Sequence, residues 1–155
     1  MSLEHEFFLI PKDLKLEDCF DWYSENRYTW KDKVGIDDSL IRYINDTLKW
    51  IPSLKQGKTS EFYGLDYYGE TIINYSGAKK LYQVILAWID IFSAAPSKFK
   101  LASELIWVEE NETDGYWKRE YVEYDRELVV ENFKKISQFA EVTQQGNNFI
   151  LHIGI

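Results

Sequence analysis

Apolar residues along this chain recur either at every second position or at every third and fourth, and each run closes on a proline, a glycine or an aspartate. Residues 6–10, EFFLI, form a dense apolar run stopped by Pro11 and predict a first strand. The period then changes: Leu16, Cys19, Phe20 and Tyr23 share one face of a predicted helix. A second helix follows the residues DDS, with Asp37 or Asp38 as its cap and Leu40, Ile41, Ile44 and Leu48 on its inner face. Pro52 marks its end.

The stretch SEFYGLDYYGETIINY, residues 60–75, is rich in tyrosine and isoleucine on either side of Tyr68 and Gly69, and predicts two short strands joined by a tight turn. Residues 78–95 predict the clearest helix. Leu81, Val84, Ile85, Trp88 and Phe92 line one face, and Leu86, Ala87, Ile89 and Ile91 make the rest apolar too, the pattern of a helix enclosed on all sides. Two alternating segments follow, SELIWVEE and YWKREYVEY. Asp125 caps a last helix whose inner residues are Val129, Phe133, Ile136 and Ala140, and NFILHIGI closes the chain as a strand. The predicted order is β-α-α-β-β-α-β-β-α-β. Hairpins interleaved with helices imply an α+β class, a mixed or antiparallel sheet packed with about four helices.

At 155 residues with 45% apolar content, the chain can bury roughly two-thirds of its unfolded surface, so 1–155 is read as a single domain with its own core. Three prolines and no fixed repeat leave no internal boundary in view. The longest apolar run, VILAWIDIF, falls short of the ~20 residues of a membrane helix, and Asp90 interrupts it. One cysteine, Cys19, excludes an intrachain disulfide, and with no signal peptide in view the expected compartment is the cytoplasm. The opening residues MSL are assigned no role.

Charge narrows the partners. A formal net charge of −8 argues against nucleic acid and anionic membrane surfaces, which need a cationic face. Residues 104–127 hold nine acids against three bases, a net of −6 and most of the chain's total. Trp107, Tyr116, Trp117, Tyr121 and Tyr124 lie among them. Aromatic anchors inside an acidic rim suit a basic protein partner. The same pattern also describes cross-strand aromatic pairs with a solvated charged edge. The residues assigned to partner binding are Trp107, Glu110, Glu112, Asp114, Trp117 and Tyr121.

Several motifs approach a chemistry without reaching it. EENETDG, residues 109–115, resembles the opening of a calcium loop with Glu110, Glu112, Asp114 and Gly115 in register. Yet its first ligand is glutamate, its twelfth position is Tyr121, and its flanks alternate like strands, so a hairpin tip is expected and no metal is assigned. GKTS, residues 57–60, ends like a phosphate loop, but Pro52 stands where that loop needs its first glycine. Cys19, among Glu17, Asp18 and Asp21, is disfavoured as a thiolate and reads as a small buried residue. His5 and His152 lie on terminal strands that could be neighbours, without a nucleophile elbow or metal spacing. Asp90 falls on a narrow polar stripe with Lys79, Lys80 and Gln83. Carboxylate pairs for glycoside chemistry are too common in an acidic chain to point anywhere.

No cofactor is assigned and no catalytic residue is named, so the expectation is a non-enzymatic cytoplasmic binding domain, inhibitor or immunity-like. The alternative is a small-molecule-binding α+β module in which Tyr63, Tyr67, Tyr68 and Tyr75 line a pocket. A hydrolase without a recognisable motif comes third.

Overall fold

A computed structural model describes residues 3–57 and 62–155. Most of GKTS, and Ser60 and Glu61 of the tyrosine-rich stretch, lie outside the described residues, as do the first two residues of the chain. The chain forms β1 (Glu4–Pro11), a 3-10 turn (Leu16–Asp18), α1 (Cys19–Asn26), β2 (Lys33–Asp37), α2 (Asp38–Leu48), β3 (Pro52–Lys55), β4 (Phe62–Tyr63) and β5 (Glu70–Ile73). Then follow α3 (Tyr75–Ser93), β6 (Lys98–Glu109), β7 (Gly115–Asp125), α4 (Arg126–Gln144) and β8 (Asn148–Ile153). The fold is α+β and, among the described residues, has four helices, an antiparallel sheet ordered β2-β1-β8-β5-β3-β4, and a separate two-stranded ribbon of β6 and β7.

The pleat divides the core. Phe7, Val34, Ile36, Ile73 and Ile150 point to one face of the sheet, where Leu40, Ile41 and Ile44 of α2, Leu81 and Ile85 of α3, and Phe133 and Ile136 of α4 cover them. Phe8, Ile10, Ile72 and Leu151 point the other way, onto Cys19 and the rings of Trp22, Tyr23 and Trp30. Trp30 Nε1 donates to the Leu9 carbonyl at 2.9 Å, which pins the loop after α1 across that face. Each helix on the larger face begins at a side-chain cap. Asp37 accepts from Ser39 N, Asn74 from Ser76 N, and Asp125 from Leu128 N, satisfying backbone donors that a helix start leaves unpaired.

Four details depart from the sequence pattern. β2 and β3 were not foreseen, being short and carrying few apolar residues; each forms because a neighbouring strand supplies its ladder. Consequently the strands flanking Tyr68-Gly69 do not pair with each other as a hairpin: β3 lies between β4 and β5. In the first helix Phe20 is 63% exposed. The 3-10 turn advances only three residues per turn, so the buried side of α1 follows Cys19, Trp22 and Tyr23 and turns Phe20 outward.

Finally, α3 is not enclosed. Leu81, Val84, Ile85, Ile89 and Phe92 are buried, while Leu86 and Ile91 are 38% and 56% exposed, because α4 and the sheet cover one side only. Trp88 is partly buried at the margin of that side, stacked on Phe92 and donating to Thr47 Oγ1 at 2.9 Å. The start of α3 presses on β3: a Cβ at Gly77 would fall 2.0 Å from the Pro52 carbonyl oxygen, so only glycine fits there.

Candidate functional site

The ribbon of β6 and β7 is the part of the chain that the core does not explain. Its base belongs to the core: Phe99, Leu101 and Tyr124 pack against the main cluster, with the Phe99 ring stacked on Phe92 at 5.7 Å between centroids. Beyond that the strands run on as an arm. Leu105, Ile106 and Trp107 are 50%, 38% and 48% exposed, and Tyr116, Trp117 and Tyr121 are 47%, 64% and 59% exposed. A two-stranded ribbon has little stability by itself. This one is held by cross-strand contacts and by ties at its base.

A bulge divides the arm. Ala102 pairs with Tyr121 and Leu105 with Arg119, so β6 carries one residue more than β7 at that point. Side chains alternate faces, so the extra residue transfers the odd-numbered apolar series of β6 to the opposite side. Phe99 and Leu101 face the core, whereas Leu105 and Trp107 share the outer side with Tyr121 and Trp117. Arg119 Nη1 donates to the Ser103 carbonyl at 2.8 Å, occupying an acceptor that the interrupted ladder leaves over.

Trp107 and Trp117 are direct cross-strand partners, packed edge to face at 5.4 Å between centroids. Gly115 makes room for this: a Cβ there would stand 2.5 Å from Trp107 Cζ2. The tip is a closed polar turn. Asn111 Oδ1 accepts from Thr113 N at 3.0 Å and Asp114 N at 2.9 Å, and the Asp114 carbonyl accepts from Glu110 N at 3.0 Å. Glu110, Glu112 and Asp114 surround it, all exposed. Among the described residues, no group of three or more His, Cys, Asp and Glu is placed to hold a metal ion.

A buried polar chain, which no local pattern announced, ties the arm to the sheet. His5 Nδ1 lies 2.9 Å from His152 Nε2, and His5 Nε2 lies 3.1 Å from Asp38 Oδ1. A carboxylate offers only acceptors, which orders the protons. His5 donates from Nε2 to Asp38, so His5 Nδ1 is an acceptor and His152 donates to it from Nε2. Among the described residues His152 Nδ1 has no hydrogen-bond partner and is left as a bare, buried acceptor. Burial lowers the pKa of His152 well below the usual imidazole range, with His5 adding to the effect. Burial also lowers that of His5, although Asp38 opposes the shift.

Asp38 receives two further donors, the Tyr67 hydroxyl and, at 3.0 Å from Oδ2, Arg42 Nε. Arg42 Nε also lies 2.6 Å from the Tyr67 hydroxyl oxygen, and its Nη1 pairs with Glu104 inside the bulge. Two parallel ties flank this one. Ser39 and Ser103 approach at 3.1 Å between hydroxyl oxygens, and the Tyr124 hydroxyl donates to Asp37 Oδ1 at 2.6 Å. Burial, and then the bond to Asp37, raise the Tyr124 hydroxyl's pKa, so it remains a donor. The start of α2 thus anchors the base of the arm.

The four tyrosines assigned to a pocket fall into two places. Tyr67 packs its ring edge on His5 at 4.9 Å, and Tyr68 packs on Tyr67 at 4.9 Å with 78% of its surface exposed. Tyr63 and Tyr75 lie toward the other end of β5; Tyr63 flanks an open groove with Trp50, Ser76 and Lys79, and Tyr75 is 66% exposed. Cys19 is fully buried, its thiol donating to the Lys15 carbonyl at 3.3 Å. Asp90 is exposed on α3, as are Lys79, Lys80 and Gln83. Sequence reasoning missed Asp38, Arg42 and Glu104 as a set, because nothing in their spacing links them to His5 and His152.

Comparison with known proteins yields no matching family model, no matching curated protein and no matching solved structure. Among the described residues no helix is long and apolar enough to cross a membrane.

Proposed function

We propose that this chain is a non-enzymatic binding protein, of the inhibitor or immunity kind, whose β6–β7 arm engages a basic protein. The observation that carries the reading is the Trp107–Trp117 pair, half-exposed on an arm outside the core and surrounded by carboxylates. Large apolar side chains in water on a well-anchored arm cost stability unless something covers them. Tryptophan and tyrosine ringed by charge are the residues that anchor protein interfaces. The net of −6 over residues 104–127 selects a cationic partner and disfavours nucleic acid. A single thiol, held buried and protonated, fits a reducing cytoplasm, where we place the protein.

The test compares wild type with two variants against the partner captured by the wild-type protein. Replacing Glu110, Glu112 and Asp114 together by lysine should slow association by about tenfold or more at low salt, and raised salt should narrow that gap. Trp117→Ala should instead speed dissociation by about 30-fold, the loss expected of an interface anchor. If Trp107 and Trp117 only hold the ribbon together, Trp117→Ala loosens the arm in hydrogen exchange while the charge variant binds unchanged. Unchanged kinetics in both variants overturns the reading.

A further inference from the structure

We infer that the arm enters a cleft in its basic partner and is covered there on both faces. The inference rests on the binding reading above and specifies the shape of the partner's site. Its basis is the register. Leu105, Trp107, Trp117 and Tyr121 occupy one face of the arm, while Ile106 and Tyr116 occupy the other. All six are exposed, so neither face is turned onto the protein's own core. A partner with a flat surface would cover one set and leave the other in water.

The bulge between Ala102 and Leu105 sets which of these residues share a face. With an uninterrupted ladder, Leu105 and Trp107 would continue the side of Phe99 and Leu101, across the ribbon from Trp117 and Tyr121. The extra residue brings Leu105 and Trp107 onto the side of Trp117 and Tyr121 and leaves Ile106 and Tyr116 on the other. Charge indicates what surrounds them. Glu110, Glu112 and Asp114 stand at the tip, the part that would reach deepest, so the floor of the cleft is cationic. The bases of the arm do little to offset these acids: Arg119 is turned back onto Ser103, and Lys118 lies 3.7 Å from Glu120. The same excess of acid disfavours a second copy of this chain as the occupant, because two arms packed together would bring their carboxylates into contact. The ties from Arg42 to Glu104 and from Ser39 to Ser103 hold the arm in one orientation before binding, which reduces the entropy lost on insertion.

Photocross-linking in cells tests this with neighbouring residues that point to opposite faces. p-Benzoylphenylalanine is placed at Leu105 in one variant and at Ile106 in another, and the partner is identified from each. The expected result is one basic protein linked from both positions, with the linked peptides on two facing walls of its surface. Linkage from one position alone overturns the cleft and leaves the binding reading standing, since the partner then lies on one face. A cross-linked homodimer, or no linkage from either position, overturns both. Each variant is checked for the exciton band of the Trp107–Trp117 pair, and one that has lost it is replaced by the same label at Tyr121 or Tyr116, which lie on the corresponding faces.

Discussion

His5 and His152 stand 147 residues apart in the chain, and their ring nitrogens meet at 2.9 Å inside the protein, both residues fully buried. The contact is a consequence of topology: β1 and β8 are adjacent, and His152 lies opposite Phe7, two residues along the same face from His5. The pair forms the inner end of the chain of bonds that runs through Asp38 and Arg42 to Glu104 at the arm.

Acid should unfold this protein more steeply than its carboxylates alone would cause. Both histidines have pKa values lowered in the folded state from an ordinary value of 6.5. Below about pH 6.5 the unfolded chain takes up protons that the folded one refuses. Their contribution is therefore fully present above that pH and is lost as pH falls toward the folded values, at no more than about 1.4 kcal/mol per pH unit for each histidine. His152→Gln keeps a donor for His5 and removes one titrating group. Urea midpoints measured from pH 7.5 to 5 should fall less steeply for the variant by about one proton's worth, and parallel curves would refute this account.

Cys19 should be inert in the native protein. Its burial, with Glu70 and Asp18 adding to the effect, raises the thiol to about 11. On the order of one thiol in a thousand is then ionised at pH 8, before access is considered. An aromatic disulfide reagent should react with it only after denaturant is added. Prompt reaction in buffer would show that α1 opens readily from the sheet.

Trp88→Ala should cost about 2–3 kcal/mol, below the range for a fully buried tryptophan, because the ring is only partly covered. Trp88→Phe retains the stacking on Phe92 and loses the bond to Thr47, and should cost about 1 kcal/mol. Guanidinium melts of the two variants separate packing from the hydrogen bond. Equal losses would assign the whole effect to the bond.

Arg42→Ala should destabilise by about 1–3 kcal/mol, since it leaves the buried Asp38 without its cationic donor. Glu104→Ala, at the exposed end of the same chain, should change stability by less than about 0.5 kcal/mol. Both should accelerate amide exchange near Ser103. If Glu104→Ala leaves that exchange unchanged, the arm owes its fixed orientation to the Ser39 and Tyr124 contacts instead.

Gly115→Ala should disturb the tryptophan pair without unfolding the core. The new methyl would collide with the Trp107 ring and the Val108 carbonyl. The exciton signal of the coupled indoles in circular dichroism should weaken, while the unfolding free energy changes by less than about 1 kcal/mol, given that the arm lies outside the core. A retained signal would mean that the ribbon adjusts its twist to admit the methyl.

Much of this architecture follows from local rules that the sequence states openly. The inner face of α2, a cap at Asp37 or Asp38, the cap at Asp125, the hairpin tip between Glu109 and Gly115, and the closing strand each depend on the period of a single segment or on a turn residue. Such features need only the chain's own neighbours, so sequence by itself determined them. Tertiary structure decided the rest. β2 and β3 are strands because other strands lie beside them, and Phe20 faces water because a 3-10 turn ahead of α1 reset its phase. The exposed side of α3 looks apolar in sequence and is simply left uncovered. The bulge is invisible in KFKLASELIWVE, where no turn residue marks the change of face at Ser103 and Glu104. The polar chain from His152 to Glu104 draws on β8, β1, α2 and β6, with Tyr67 from the loop before β5. No spacing rule connects residues that only sheet order brings together, because a sequence encodes a period within an element and leaves its neighbours to the packing.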